Sequence, residues 1–498
     1  MKKLTAMLLA LAMAVSLAAC TQKPEEQTAS TTAAVTEAVT EPAADTTNFK
    51  LSYSKSDSLD PFKTETLNNQ VLQTLVFEQL FVPDTAFAPQ PMLATGYTFT
   101  DSETLEVTIG LGNTFSDGTP LTADSVIASF EKAKDSPHWG NALRGIASAS
   151  KVSDTIIRFE LSYPNPNALS LLTFAIAKDG TDDAGYPIGS GRYRFGEGDG
   201  NVYLEANDKK TDFHPHFTRI PLVNITSAES IENAINIGNI SFAFRDMSTG
   251  SKAKIQSNKK AVALNNLVYI GINSQAGITK NENIRKAIAL AVDRDTLVKS
   301  AYRGYAKSAL SVFNPACQLG RQTVIFSANA DVTAAKQAIA QSGIKAEDLT
   351  IDILTSTNEG KTAAAQLLKQ QLEAVGFTVT INREMLQNFQ SKAENSSFNI
   401  YIGETQLTAD MSLRSFFTNG GATSMGIDLE NSAAAASYLG YLSGDNEIGK
   451  FILDFSKEMP FIPLLYRQGM ICYSKSLHGD MQGYTGNYFS NIEDWYYN

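Results

Sequence analysis

Leu349-Thr350-Ile351-Asp352-Ile353-Leu354, a following run that carries Leu367, Leu368, Leu372 and Val375 and stops at Gly376, and then Phe377-Thr378-Val379-Thr380-Ile381 together decide the fold class. The two outer segments alternate apolar and polar residues, the two-residue period of a strand. The middle run places its apolar residues on one helical face, and glycine readily takes the left-handed conformation that ends a helix. Strand, helix, strand in this order predicts a right-handed crossover between parallel strands. Phe398 to Ile402 adds a further strand. This part of the chain is α/β.

Upstream of it, Ile284, Ala287, Ile288, Ala291 and Val292 recur at helical spacing, and Asp331 caps a helix that Gly343 ends. The N-terminal half is richer in strands. Phe49 to Tyr53 and Thr104 to Ile109 alternate, and Ser116-Asp117-Gly118 is a turn. Thr122 caps a helix with Asp124 in its first turn and Val126, Ile127 and Phe130 on one face. Gly191 to Phe195 and Val202 to Glu205 form a hairpin around the glycine-rich turn 196–200. Two lobes of different character follow, and a cleft between lobes is a usual place for a ligand.

The whole chain has 498 residues, 43% of them hydrophobic, with 41 Lys and Arg against 52 Asp and Glu, a net charge of −11. That balance argues against a nucleic-acid partner, which selects a basic face. The three cysteines, Cys20, Cys317 and Cys472, make no disulfide framework, and the last two are expected to be free and buried. Lys2 and Lys3 precede an apolar run, Leu4 to Val15, that is too short to span a bilayer. Leu17-Ala18-Ala19-Cys20 then resembles the bacterial lipobox, so residues 1–20 read as a lipoprotein signal peptide with Cys20 as the lipidated, palmitate-bearing residue. Residues 21–47, rich in Thr, Ala and Glu, are expected to be a disordered tether.

Nothing in the chain assembles a catalytic set. Gly360-Lys361-Thr362 lacks the first glycine of a phosphate loop, with Thr355 standing in its place. His214-Pro215-His216 with Asp212 could offer metal ligands, but no third His or Cys lies within motif spacing. The expectation is therefore no enzyme, no cofactor and no metal.

Four stretches, in order, resemble the family 5 solute-binding proteins, the oligopeptide-, dipeptide- and nickel-binding proteins of ABC importers. Phe115-Ser116-Asp117-Gly118-Thr119-Pro120-Leu121-Thr122-Ala123-Asp124-Ser125-Val126 with Ser129-Phe130 is similar to the family signature. Gly189-Ser190-Gly191-Arg192-Tyr193 resembles its hairpin, and residues 283–294 resemble the helix that opens its second lobe. Glu458-Met459-Pro460-Phe461-Ile462-Pro463-Leu464 resembles the approach to its second hinge. The resemblance implies a two-lobed, periplasmic-binding-protein-like α/β clamp of the large family 5 type, with an extra subdomain in lobe 1. Lobe 1 would hold 48–270 plus 470–498, with the subdomain near 62–187, and lobe 2 would hold 271–469. The crossings would lie near Tyr269–Asn273 and Tyr466–Cys472.

The same resemblance implies a monomeric receptor on the outer face of the cell membrane, periplasmic in a Gram-negative source. It would capture short peptides and deliver them to permease subunits and their ATPases. A nickel or other metal chelate, an opine or a sugar are alternative ligands within the family, and a lipid-anchored hydrolase is the alternative outside it. Asp410 matches the family position that pairs with a ligand's α-ammonium, with Thr408 beside it, and Leu407 stands where the family often has an aromatic. Lys55 and Ser56, in a loop that resembles a cleft-lining one, and Trp139 complete the expected ligand-binding set. A basic Lys55 suits a carboxylate-bearing ligand, or equally a solvated surface.

Overall fold

In the computed structural model, which describes residues 48–247 and 254–498, the helix signals act where the sequence puts them. Thr122 and Ser125 form a reciprocal capping box ahead of helix Ala123–Lys134, meeting N–H groups that the first turn cannot. Asp331 accepts the Ala334 N–H at 2.8 Å to cap Val332–Ser342, and Gly343 at φ 71° closes it. Helix Glu359–Val375 begins well before Leu367, because Asn358 caps it by accepting the Lys361 N–H at 3.1 Å.

The deciding stretch forms strands Thr350–Ser356 and Thr378–Glu384, which pair in parallel, and Ile400–Gln406, which pairs in parallel on the other side of Thr350–Ser356. Its first strand runs past Leu354, because Thr355 and Ser356 are polar yet buried, and alternation cannot see such residues.

These strands belong to an eleven-stranded sheet that reaches into both halves of the chain. Its spine is a pair of long antiparallel strands, Asn258–Ile272 and Phe461–Tyr473. They run from one apolar core into another. Val262, Leu264 and Ile471 pack with residues from Phe49 to Phe244 and from Leu477 to Trp495. Leu267 onward and Phe461 to Tyr466 pack in a second core with the helices and strands up to Phe455. The pairing slips between Ala263 and Leu267, where the strand passes from one core to the other. This point lies ahead of Tyr269–Asn273.

Beyond the slip, Tyr269 faces Gly403 and Gly271 faces Tyr401 across the strand pair. A Cβ on Gly271 would lie 2.0 Å from the Tyr401 ring, and one on Gly403 would lie 2.4 Å from the Tyr269 ring. Each glycine makes room for the opposite tyrosine, and the two hydroxyls meet at 3.1 Å.

A four-stranded antiparallel sheet, ordered Ala94–Phe99, Thr104–Ile109, Ile156–Leu161, Ile146–Lys151, stands apart from the large one. Phe159 on its buried face packs edge-on against Phe130 of the capped helix, with centroids 5.7 Å apart. This packing fixes two features of the site: Trp139, just beyond the helix, and the loop that leaves Leu161. Cys317 and Cys472 are free and buried. Among the described residues no helix is long and apolar enough to cross a membrane. Residues 1–47, with Cys20 and the tether, lie outside the described part.

Candidate functional site

A cavity of about 370 Å³ opens where the two cores meet. One wall is helix Leu67–Val76, which contributes Gln70, Gln73 and Thr74. Trp139 and His138 form another side, with the two rings 4.6 Å apart. The floor is made at the strand crossing by Asn265, Asn266 and Gln406, and Leu407 and Ala409 close it from the second core's side. Asn265 is committed to building this floor. Its Nδ2 donates to the carbonyls of Leu407 at 3.0 Å and Thr408 at 2.8 Å, and its Oδ1 accepts from Asn314 at 3.1 Å.

Desolvation beside Trp139 lowers the His138 imidazole to about 4, although more than a third of the residue stays exposed and solvent there weakens the effect. Asp246 is the one charged side chain on the lining among the described residues, and no Lys or Arg lines it. A cavity at the junction of two lobes, lined about equally by apolar side chains and by amides, hydroxyls and other polar groups, has the place of a small-molecule site.

Beside the cavity the two halves meet in a polar seam. The loop after Leu161 brings Asn165 to Asp410, whose Oδ2 accepts the Asn165 amide at 2.8 Å. The Asp410 Oδ1 accepts the Thr408 hydroxyl and, at 3.3 Å, the Ser412 N–H. Arg414 lays its guanidinium 4.1 Å from the centre of the Tyr163 ring, and Tyr441 bonds the Asn167 side chain. Asp410 is 5% exposed, and burial raises its carboxyl above the usual carboxylate range despite the Thr408 and Asn165 hydrogen bonds. A carboxylate offers about four acceptor sites, and the Thr408, Asn165 and Ser412 donors together with the residue's own N–H engage this one.

Residues 88–424 match the family described as bacterial extracellular solute-binding proteins, family 5 (middle). The chain belongs to this family. It is 23% identical to the glutathione-binding protein of Salmonella paratyphi A over 465 residues, 86% of this chain and 90% of that one. The match to the glutathione-binding protein of Escherichia coli K12, also 23%, spans about half of that relative's length, 282 residues or 55%. Among solved structures, a putative peptide-binding protein from Clostridium difficile superposes with a TM-score of 0.70 at 18% identity, over 91% of this chain and all of that one. The two-lobed α/β fold and the role as a solute-binding protein of the ABC-import class follow, and the family is extracytoplasmic.

Within this family 5 protein the expected site residues separate. Trp139 and the loop Leu407–Ala409 reach the cavity. Asp410 and Thr408 sit at the seam next to it. Lys55 and Ser56 are exposed and are not among the residues lining the cavity. Their loop is pinned instead by Asp57, which accepts the Thr66 N–H at 2.8 Å and the Thr64 hydroxyl at 2.9 Å. Gln73, Gln79, Asn165 and Asn265 had no motif to mark them. Their elements gave no signal either, because Gln73 is one of several polar residues in Leu67–Val76 and Asn265 one of several in Asn258–Ile272.

Proposed function

We propose that this protein is the receptor of an ABC importer for short peptides, anchored at the membrane through Cys20 and acting without catalysis. The lobes 48–270 plus 470–498 and 271–469 act as two jaws. The observation that carries this reading is the cavity between the two cores, with Ala409 on its lining and the Asp410 carboxylate immediately behind it. A ligand ammonium would compete with Asn165, Thr408 and the Ser412 N–H for this carboxylate. In a poorly solvated cleft such a charge-assisted hydrogen bond is stronger than on a surface. Because Asn165 and Asp410 lie on opposite sides of the cleft, the same carboxylate joins ligand capture to closure, and closure advances by the ligand's extra affinity for the closed form. The peptide-binding and glutathione-binding names of the similar proteins support a ligand of peptide class.

Native mass spectrometry of the purified protein tests the class directly. A co-purifying peptide of two to a few residues is the expected result, whereas a metal chelate or a sugar would overturn it. The anchor has its own test. Cys20→Ser is expected to move the protein from the membrane fraction to the soluble one, and continued membrane association would count against lipidation there.

A further inference from the structure

The four donors that meet the Asp410 carboxylate are all neutral: the Thr408 hydroxyl, the Ser412 N–H, the residue's own N–H and the Asn165 amide. The first three belong to Asp410 or to residues two positions away, so they travel with the carboxylate wherever its loop goes. That loop is tightly made. The Met411 N–H donates to the Thr408 carbonyl at 2.9 Å, and Met411 stands at φ 58°, a left-handed conformation that strains a residue with a side chain. Asn165 is different. Among the described residues it is the one donor to Asp410 that comes from the opposite side of the cleft, 245 residues away in the chain.

The amide of Asn165 is held in place by its own loop. Its Oδ1 accepts the Asn167 N–H at 3.0 Å, which leaves the Nδ2 directed at Asp410. Both side chains are buried, so a ligand cannot reach the carboxylate past this amide. The Oδ2 that Asn165 covers opens only when the two sides of the cleft part. A ligand ammonium arriving then, and the Asn165 amide returning on closure, are alternatives at one oxygen. A buried carboxylate gains more from a cation than from a neutral amide, because pairing offsets the loss of hydration. The neighbouring contacts are indifferent to the choice. Arg414 on Tyr163 and Tyr441 with Asn167 use neither oxygen of Asp410, so they can form whichever group holds Oδ2.

Resting on the peptide-receptor reading, we propose that Asn165 is an internal competitor of the ligand: its amide takes the place of a ligand ammonium on Asp410, draws the lobes together without ligand, and yields when a peptide with a free N-terminus closes them instead. Apparent affinity is then reduced by the fraction of the protein held in this self-closed form.

The test is Asn165→Ser. A serine hydroxyl can accept the Asn167 N–H in a turn of related form but is too short to reach Asp410. Variant and wild type, each freed of bound ligand by unfolding and refolding, are compared by small-angle scattering. Each is then titrated by calorimetry with a pool of tripeptides, free or N-acetylated. The variant is expected to show the larger radius of gyration before any peptide is added. It should bind the free pool about threefold more tightly and gain nothing toward the N-acetylated pool, which leaves Asn165 where it is. The thermal transition checks that the fold is kept, and Asn165→Ala, which removes the amide by a different change, is expected to match the serine variant. Equal radii overturn the self-closed form. Free peptides bound no more tightly by the variants overturn the competition, because Asn165 then belongs to the ligand-bound clamp as well. An equal gain for both pools also overturns it, since a loosened loop would act on either. If wild type and variants all fail to bind either pool, the peptide reading fails and displacement falls with it, while the radii still decide whether Asn165 closes the clamp.

Discussion

The seam and the cavity lie side by side and treat polar groups in opposite ways. At the seam, Asn165, Asp410, Thr408 and the Ser412 N–H are joined to one another, and Arg414 is stacked on Tyr163. On the cavity lining, both amide atoms of Gln73 and the Oε1 of Gln79 have no hydrogen-bond partner among the described residues. Both regions are removed from water, so the difference is one of commitment rather than of polarity. Paired groups hold two parts of a fold in one arrangement, whereas an unmet buried amide costs the fold.

The sharpest way to break this division is at Asp410, which touches both sides. Asp410→Asn keeps an acceptor for Thr408 or Ser412 but removes the charge. Removing one partner of a buried, charge-assisted pair costs roughly 2–5 kcal/mol, so affinity for peptides with a free N-terminus is expected to fall at least tenfold. The difference between free and N-acetylated peptides is expected to vanish with it. Thermal stability should hardly change, because burial already disfavours the ionised carboxyl and the fold loses no well-solvated charge. Calorimetry showing wild-type affinity in the variant would separate Asp410 from the ligand.

Much of this fold was legible because its signals are local. Thr122, Asp331 and the αL glycine at 343 act on groups within one helical turn, and the strands near 349 and 377 declare themselves by alternation. The site was legible only in part, for a physical reason. Asp410 and Asn165 are 245 residues apart, and their bond exists only because the four-stranded sheet places one loop against another. Amides carry no motif, and Gln73 is one of five polar residues in helix Leu67–Val76. Lys55, read as either a ligand contact or a solvated surface residue, is exposed and off the cavity lining, and its neighbour Asp57 pins the chain before helix Leu67–Val76.

A second prediction sharpens the cavity side through His138. Its folded value near 4 lies below the 6.5 of a free imidazole, so the native state binds fewer protons than the unfolded chain between those limits. The stability that follows is fully present above about pH 6.5 and is lost as pH falls toward about 4, and because more than a third of the residue is exposed, solvent screening holds it to about 1 kcal/mol or less. His138→Phe, which keeps an aromatic against Trp139, is expected to flatten that part of the profile. Chemical denaturation at stepped pH reads it directly, and an unchanged acid slope in the variant would show that His138 is not held neutral by the cavity wall.

The smallest expected effect tests whether the seam acts on ligand affinity at all. Arg414 and Tyr163 belong to opposite sides of the cleft, touch no residue of the cavity floor by hydrogen bond, and meet only through the guanidinium and the ring, 4.1 Å apart. Such a contact contributes about 0.5–2 kcal/mol according to how far it is desolvated. If the seam defines the closed form, that energy belongs to closure, and apparent affinity scales with the closed fraction. Arg414→Met is then expected to weaken ligand binding by about threefold to tenfold, mainly through faster release, with little change in the thermal transition. Tyr163→Phe keeps the ring and should behave as wild type, while Tyr163→Leu should match Arg414→Met. The double variant should lose no more than either single one, because the two residues share one interaction. Additive losses would mean that each residue acts on its own lobe, and the seam would then be packing rather than a latch.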